Sequence, residues 1–357
     1  MTTKKDIESA LMRGADTLRD TIDAANYKDY VLPVMFVKYL SDSYTDAVEE
    51  LSKQYSGIRL ERQKKYLPFM VAEGCLFYDL YQQRFADNIG QLMNAAMRQI
   101  EADNNQQLAG VLSAVDYNSE NALGTREHKN AILRDLLEDF EPLDLRPSAI
   151  EVKEGQVPAD VIGDAYEYMI GQFASMAGKK AGSFYTPAAV SEIMARIVDV
   201  QPGERVYDPT CGSGSLLIKA AKKQNSKEVS IYGQEVNGSS VAMAKMNMYI
   251  HEIRDAKIGW GDTLANPVFL DADGNLLLFD AIVANMPFSK DKWASGFNPG
   301  GESSGKGKKE FKMEASLDKF HRFDWGVPPA SKGDWAFLLH MIASLSVNGR
   351  IAAVAPH

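Results

Sequence analysis

The run Arg205-Val206-Tyr207-Asp208-Pro209-Thr210-Cys211-Gly212-Ser213-Gly214-Ser215-Leu216-Leu217-Ile218 decides how the rest of the chain is read. A short apolar stretch ends on an acid, a turn with two glycines follows, and residues 215–222 then read as a helix. This is a strand–loop–helix unit. Its glycines let the loop turn tightly and let a ligand approach the backbone, and its helix N-terminus favours a negative group. No Gly-Lys-Ser/Thr follows, which excludes a Walker loop. The acid at the head of the loop argues against a dinucleotide fingerprint.

Toward the C-terminus, short apolar segments alternate with helical ones. Strands are predicted at 205–207, 230–233, 256–259, 281–284 and 350–355. Such alternation builds βαβ units on a parallel sheet, and ligands bind such sheets at the carboxyl ends of the strands. Those ends carry the candidates. In Tyr232-Gly233-Gln234-Glu235, Glu235 suits the two ribose hydroxyls of a nucleoside. In Gly261-Asp262, Asp262 suits the exocyclic amine of an adenine. Asn285-Met286-Pro287-Phe288 ends the fourth strand. An amide oxygen and a nearby carbonyl there can accept the two hydrogens of a planar amine, so that its lone pair attacks a methyl group in line. Positioning rather than a strong base supplies much of the rate. Phe288 can stack on a base extruded from its duplex.

Residues 289–332 interrupt the alternation with a stretch rich in Gly, Lys and Ser. A loop of that length is usually functional or disordered. Its Lys306, Lys308, Lys309 and Lys312 either touch phosphates or belong to a solvated loop. Asp334 is expected to cap the helix that follows. Upstream, Phe184-Tyr185-Thr186-Pro187 precedes an amphipathic helix at 188–198, with Thr186 as N-cap and Pro187 at the first helical position.

The N-terminal part is helical in pattern, with apolar periodicity at 8–21, 30–40 (Pro33 near its start), 100–116 and 129–140. A polar, proline-containing linker spans 142–157, with a short strand expected at 149–152, and a helix follows at 161–173. Two domains are expected, 1–150 and 151–357. The chain of 357 residues is 45% hydrophobic and 24% charged, an ordinary globular composition. Its net charge of -9 suits a lone DNA-gripping protein poorly and favours a partner that supplies phosphate contacts. Cys75 and Cys211 make neither a metal site nor a disulfide framework. Cys211 lies in the glycine loop and no Pro-Cys follows the fourth strand, so a cysteine nucleophile is not expected. His251, His321 and His340 show no metal or triad spacing and read as structural. The first 13 residues lack a signal core and no stretch approaches a bilayer span, so a cytoplasmic location is expected.

The order FYTP, DPTCGSG, GQE, GD, NMPF resembles the amino-methyltransferases, with their N-(P)-P-F/Y signature. Together with the helical N-terminal region, DAYEYMIGQFA and AGSFYTP, the chain looks like the modification subunit of a type I restriction–modification system, an N6-adenine DNA methyltransferase. The resemblance implies an α/β fold, a Rossmann-like S-adenosylmethionine-dependent methyltransferase sheet preceded by an all-α domain. It places S-adenosylmethionine on Tyr185, Thr186, Pro187, Asp208, Thr210, Gly212, Ser213, Gly214, Glu235 and Asp262. It places catalysis on Asn285, Met286, Pro287 and Phe288, with no metal. The implied partners are a specificity subunit that reads the DNA sequence, a second modification subunit, a restriction subunit, and double-stranded DNA with a flipped adenine. Met286 stands where the family usually has a proline; its carbonyl remains, and Pro287 still biases residue 286 toward an extended backbone. The family's sheet has seven strands followed by helices, so a chain that ends after the fifth is expected to be incomplete. Two other readings are a related transferase acting on glutamine side chains or RNA, and a non-catalytic assembly module that binds the cofactor.

Overall fold

The computed structural model describes residues 1–178, 185–222, 228–298 and 311–356. It contains two compact units, one of residues 1–181 with 245–252, the other of 182–244 with 253–357.

The first unit is helical: α1 (Lys4–Leu18), α2 (Tyr27–Ser52), α3 (Gly57–Lys64), α4 (Phe77–Gln82), α5 (Ile89–Asp103), α6 (Asn105–Leu108), α7 (Glu120–Leu123), α8 (Arg126–Phe140) and α9 (Pro158–Ala177). Helix α1 starts on a capping box, in which the Thr3 hydroxyl accepts from the Asp6 amide and the Asp6 carboxylate accepts from the Thr3 amide. It buries Ile7, Leu11 and Leu18 against α8 and α9. Helix α2 is buried continuously from Tyr30 to Ser43 and forms the middle of the unit. Pro33 lies inside this helix rather than at its start. The helix expected at 100–116 ends early, because Gly110 turns the chain at φ +70° and the Glu101 carboxylate accepts from the Leu112 and Ser113 amides. The strand expected at 149–152 is a single bridge between Thr2 and Ile150. Residues 245–252 complete the unit. Phe36 and Phe69 meet the Tyr249 ring edge-on at 5.6 and 5.9 Å, and the Lys245 ammonium donates to the Ala109 carbonyl at 3.0 Å. Gly163 lies so near the His251 ring that a Cβ would come within 2.2 Å of it.

The second unit is the predicted α/β sheet. All of its strand pairs are parallel, in the order β3-β2-β1-β4-β5. The strands are β1 (Arg205–Asp208), β2 (Ser230–Glu235), β3 (Lys257–Trp260), β4 (Phe279–Asn285) and β5 (Leu345–Val354), with helices α10 (Ala188–Val198), α11 (Ser215–Lys222), α12 (Gly238–Ile250) and α13 (Gly333–Ala343). This is the Rossmann-like architecture, preceded by a helical unit. Strand order reverses between β1 and β4, so a crevice opens at their carboxyl ends. Strand β5 begins before the predicted residue 350. Phe279 pairs with Leu345, and regular pairing resumes at Ala281 with Arg350 across an irregular register.

Among the described residues, 311–332 are packed rather than loose. Met313 and Phe323 join Trp293, Phe279, Phe337 and Met341 in one apolar cluster. Lys312 is exposed, and Lys306, Lys308 and Lys309 lie outside the described residues. The N-cap of α13 is Lys332, not Asp334; the Asp334 carboxylate accepts from the Ser289 amide at 2.7 Å and so ties the end of the Asn285 segment to the helix. No helix of the described residues is long and apolar enough to cross a membrane.

Candidate active site

Strand β1 ends on Asp208, which is buried, and its Oδ1 accepts from the Thr210 amide at 2.8 Å. That bond opens the loop. Gly212 and Gly214 then take φ +52° and +76°, conformations that glycine adopts without a steric cost. The Gly214 amide donates to the Cys211 carbonyl at 2.7 Å, which delivers the chain into α11. Glu235, at the end of β2, accepts from the Gly212 amide at 3.0 Å and from the Asn237 amide at 2.8 Å. Its carboxylate thus pins the glycine loop to the next strand. Loop and strand are in close contact: a Cβ on Gly233 would lie 2.9 Å from the Cys211 sulfur.

Asp262 accepts from the Leu264 and Ala265 amides and faces the Lys290 ammonium at 3.9 Å. Two residues that sequence reasoning missed position it. The buried Gln234 amide donates to the Gly261 and Asn266 carbonyls and accepts from the Val268 amide. The Thr263 hydroxyl donates to the Pro209 carbonyl at 2.6 Å. Gln234 had a sequence signal, since a polar residue whose neighbours are both buried on a central strand needs partners.

At the end of β4, Asn285 Nδ2 donates to the Thr186 hydroxyl at 3.2 Å. Thr186 is therefore not the cap of α10; that position is Pro187, which makes no side-chain cap bond. The Thr186 hydroxyl orients the Asn285 amide and leaves Oδ1 to accept from a ligand. The Met286 side chain is buried in the apolar cluster, whereas the Phe288 ring is 51% exposed.

One cleft brings together Tyr185, Thr186, Asp208, Thr210, Gly212, Ser213 and Asn285, along with Cys211, Ser215 and Leu216. Glu235 and Asp262 do not line it; they join through Gly212 and through Thr263–Pro209. Gly214 shapes the turn behind it, and Pro187 is exposed. Phe184 lies outside the described residues.

The electrostatics are those of a site short of positive charge. Burial pushes the Asp208 carboxyl up to about 8, with the Glu235 charge adding to the effect and the Thr210 amide opposing it. Burial also raises Glu235 against the amides of Asn237 and Gly212 and the Lys290 charge. Burial, with Asp208 and Glu235 beside it, raises the Cys211 thiol well above its ordinary value, which favours the protonated thiol over the thiolate. Among the described residues there is no group of three or more ligands that could hold a metal.

Residues 157–357 match the family model for N-6 DNA methylase, and residues 7–140 match the HsdM N-terminal domain. The MpnII type I restriction enzyme methylase subunit of Mycoplasma pneumoniae is 29% identical over 98% of this chain and 67% of its own length. The MjaVIII methylase subunit of Methanocaldococcus jannaschii is 29% identical over 92% of this chain and 53% of its own. The structure of a type I restriction-modification methyltransferase subunit from Streptococcus thermophilus superposes with a TM-score of 0.76 at 30% identity, covering 99% of this chain and 75% of that one. The chain thus spans about half to two thirds of the length of these curated relatives.

Proposed function

We propose that this chain, which belongs to the N-6 DNA methylase family, transfers a methyl group from S-adenosylmethionine to the N6 amine of adenine in DNA, as the modification subunit of a type I restriction–modification complex. The observation that carries this reading is the cleft that Asn285 at the end of β4 shares with Asp208 at the end of β1 and Gly212 in the loop that follows it. The residues fit the cofactor. Two buried carboxyl groups held by backbone amides suit a ligand with hydroxyls and amines to pair with, and the glycine turn leaves the backbone bare.

In this reading Glu235 holds the ribose, Asp262 the adenine, and Asp208 with Thr210, Gly212, Ser213 and Gly214 the methionine end, walled by Tyr185, Thr186 and Pro187. S-adenosylmethionine supplies an electrophilic methyl group. Asn285 Oδ1 and the Met286 carbonyl accept the two N6 hydrogens of the target adenine. Held in this way, the N6 lone pair would be aimed at the methyl group that S-adenosylmethionine would supply, and the surplus N6 proton would pass to solvent. Pro287 stiffens the turn and Phe288, already exposed, stacks on the flipped base. Residues 151–357 serve the chemistry and residues 1–150 assembly. A specificity subunit reads the DNA, with a second modification subunit and a restriction subunit as further partners, in the cytoplasm.

The test is radiolabelled methyl transfer by the complex with its specificity subunit. Asn285→Ala should bind S-adenosylmethionine normally and lose at least 100-fold in kcat, about 2.7 kcal/mol in the transition state. Unchanged methylation would remove the catalytic assignment.

A further inference from the structure

Arg322 is a fully buried cation remote in sequence from every site motif. Its guanidinium donates to the Asp318 carboxylate at 2.8–3.2 Å, to the Thr263 carbonyl at 3.2 Å, to the Leu264 carbonyl at 2.5 Å, and to His340 Nδ1 at 3.1 Å. An arginine only donates, so Nδ1 of His340 is an acceptor and the ring proton sits on Nε2. Nε2 therefore donates to the Tyr207 hydroxyl, 3.2 Å away. Burial and the Arg322 charge hold His340 well below its ordinary pKa, so the imidazole stays neutral. Tyr207 directly precedes Asp208. The Thr263 side chain bears on the Tyr207 hydroxyl, donates to the Pro209 carbonyl and directly follows Asp262. A single guanidinium thus reaches the loops that carry both acids, one through His340 and Tyr207 and the other through two carbonyls.

We propose that Arg322 is a positioning residue. It fixes the spacing between the Asp208 and Asp262 loops, and so the affinity for the cofactor; this consequence rests on the function proposed above. A buried guanidinium with all its donors used is costly to place in the interior. The apolar cluster beside it could fill the same space with side chains that need no partners. What Arg322 adds is direction: two backbone carbonyls at a fixed distance from a strand end.

The test is amide hydrogen exchange on the full chain, with Arg322→Met, Arg322→Lys and Tyr207→Phe variants, followed by calorimetric titration with S-adenosylmethionine. Arg322→Met should speed exchange at Leu264, Ala265 and Asn266 at least tenfold while the β1 and β4 amides keep their protection. Tyr207→Phe removes one hydroxyl at nearly constant volume, and so stays informative if Arg322→Met fails to fold. It should speed the same amides severalfold and weaken cofactor binding by a similar factor. Arg322→Lys should fall between wild type and Arg322→Met. Uniformly faster exchange across the sheet unit, or wild-type exchange at residues 264–266 in folded variants, would overturn the proposal. The exchange measurement needs no cofactor. It decides the proposal even if the wild-type chain binds none, a result that would tell against the proposed function alone.

Discussion

Removing the titrating carboxyl of Asp208 should flatten the acid-to-neutral stability profile of the sheet unit. The carboxyl stands at about 8 in the fold and near 4 in an unfolded chain. Its folded value is the higher one. The native state therefore holds a proton that the unfolded state releases between those values. The stabilisation is complete below about pH 4 and is lost as pH rises toward 8. At about 1.4 kcal/mol per unit, roughly three units between pH 5 and pH 8 correspond to a loss on the order of 4 kcal/mol. Glu235, raised in the same direction, adds to the slope. Asp208→Asn keeps an acceptor for the Thr210 amide and has nothing to titrate, so its profile should lose most of that slope. All four tryptophans, Trp260, Trp293, Trp325 and Trp335, lie in the sheet unit. Their fluorescence in urea, recorded across pH 5 to 8 for both proteins, reports that unit selectively. Parallel profiles for wild type and Asp208→Asn would refute the reasoning.

Other outcomes follow from the same geometry. Thr186→Val removes the hydroxyl that orients Asn285 and should lower kcat about tenfold, near 1.4 kcal/mol, with Thr186→Ser close to wild type; a change confined to KM would contradict the positioning role. Gly233→Ala drives a methyl into the Cys211 sulfur and should destabilise the sheet unit by about 1–3 kcal/mol. Adding Cys211→Ala should restore part of that loss, a coupling visible in a double-mutant cycle. Thiol labelling at pH 8 should modify Cys75 well before Cys211, since Cys75 is only half-buried; equal rates would mean that the glycine loop opens readily.

Much of the sheet was legible because three of its strands are short apolar runs that stop at a polar side chain, Asp208, Glu235 or Asn285, facing the crevice end of the sheet. The periodicity and the flanking Pro187 and Gly214 locate α10, from Ala188 to Val198, and the start of α11 at Ser215. What stayed hidden depends on distant partners. Thr186 reads locally as a cap, and only β4 reveals it as the brace of Asn285. Arg322 and Asp318 look like surface charge in a lysine-rich stretch, yet the fold buries both, against a His340 that reads as structural from the start. The helix expected at 100–116 failed for a related reason. Its periodicity continues, but one glycine and one carboxylate that captures two amides outweigh it.

The helical unit takes in residues 245–252, which follow two strands of the other unit in the chain. On the ribosome this sets an order. Phe36 and Phe69 are made early, but the Tyr249 ring that covers them emerges only after β1 and β2 have left the exit tunnel. Domains that are continuous in sequence can close one after another as they are synthesised. This one has to wait with part of its apolar surface open. Nascent chains arrested at residue 240 should be cut readily by protease in their first 140 residues, and those arrested near 300 should resist. The interval between the two is when a chaperone would have most to hold.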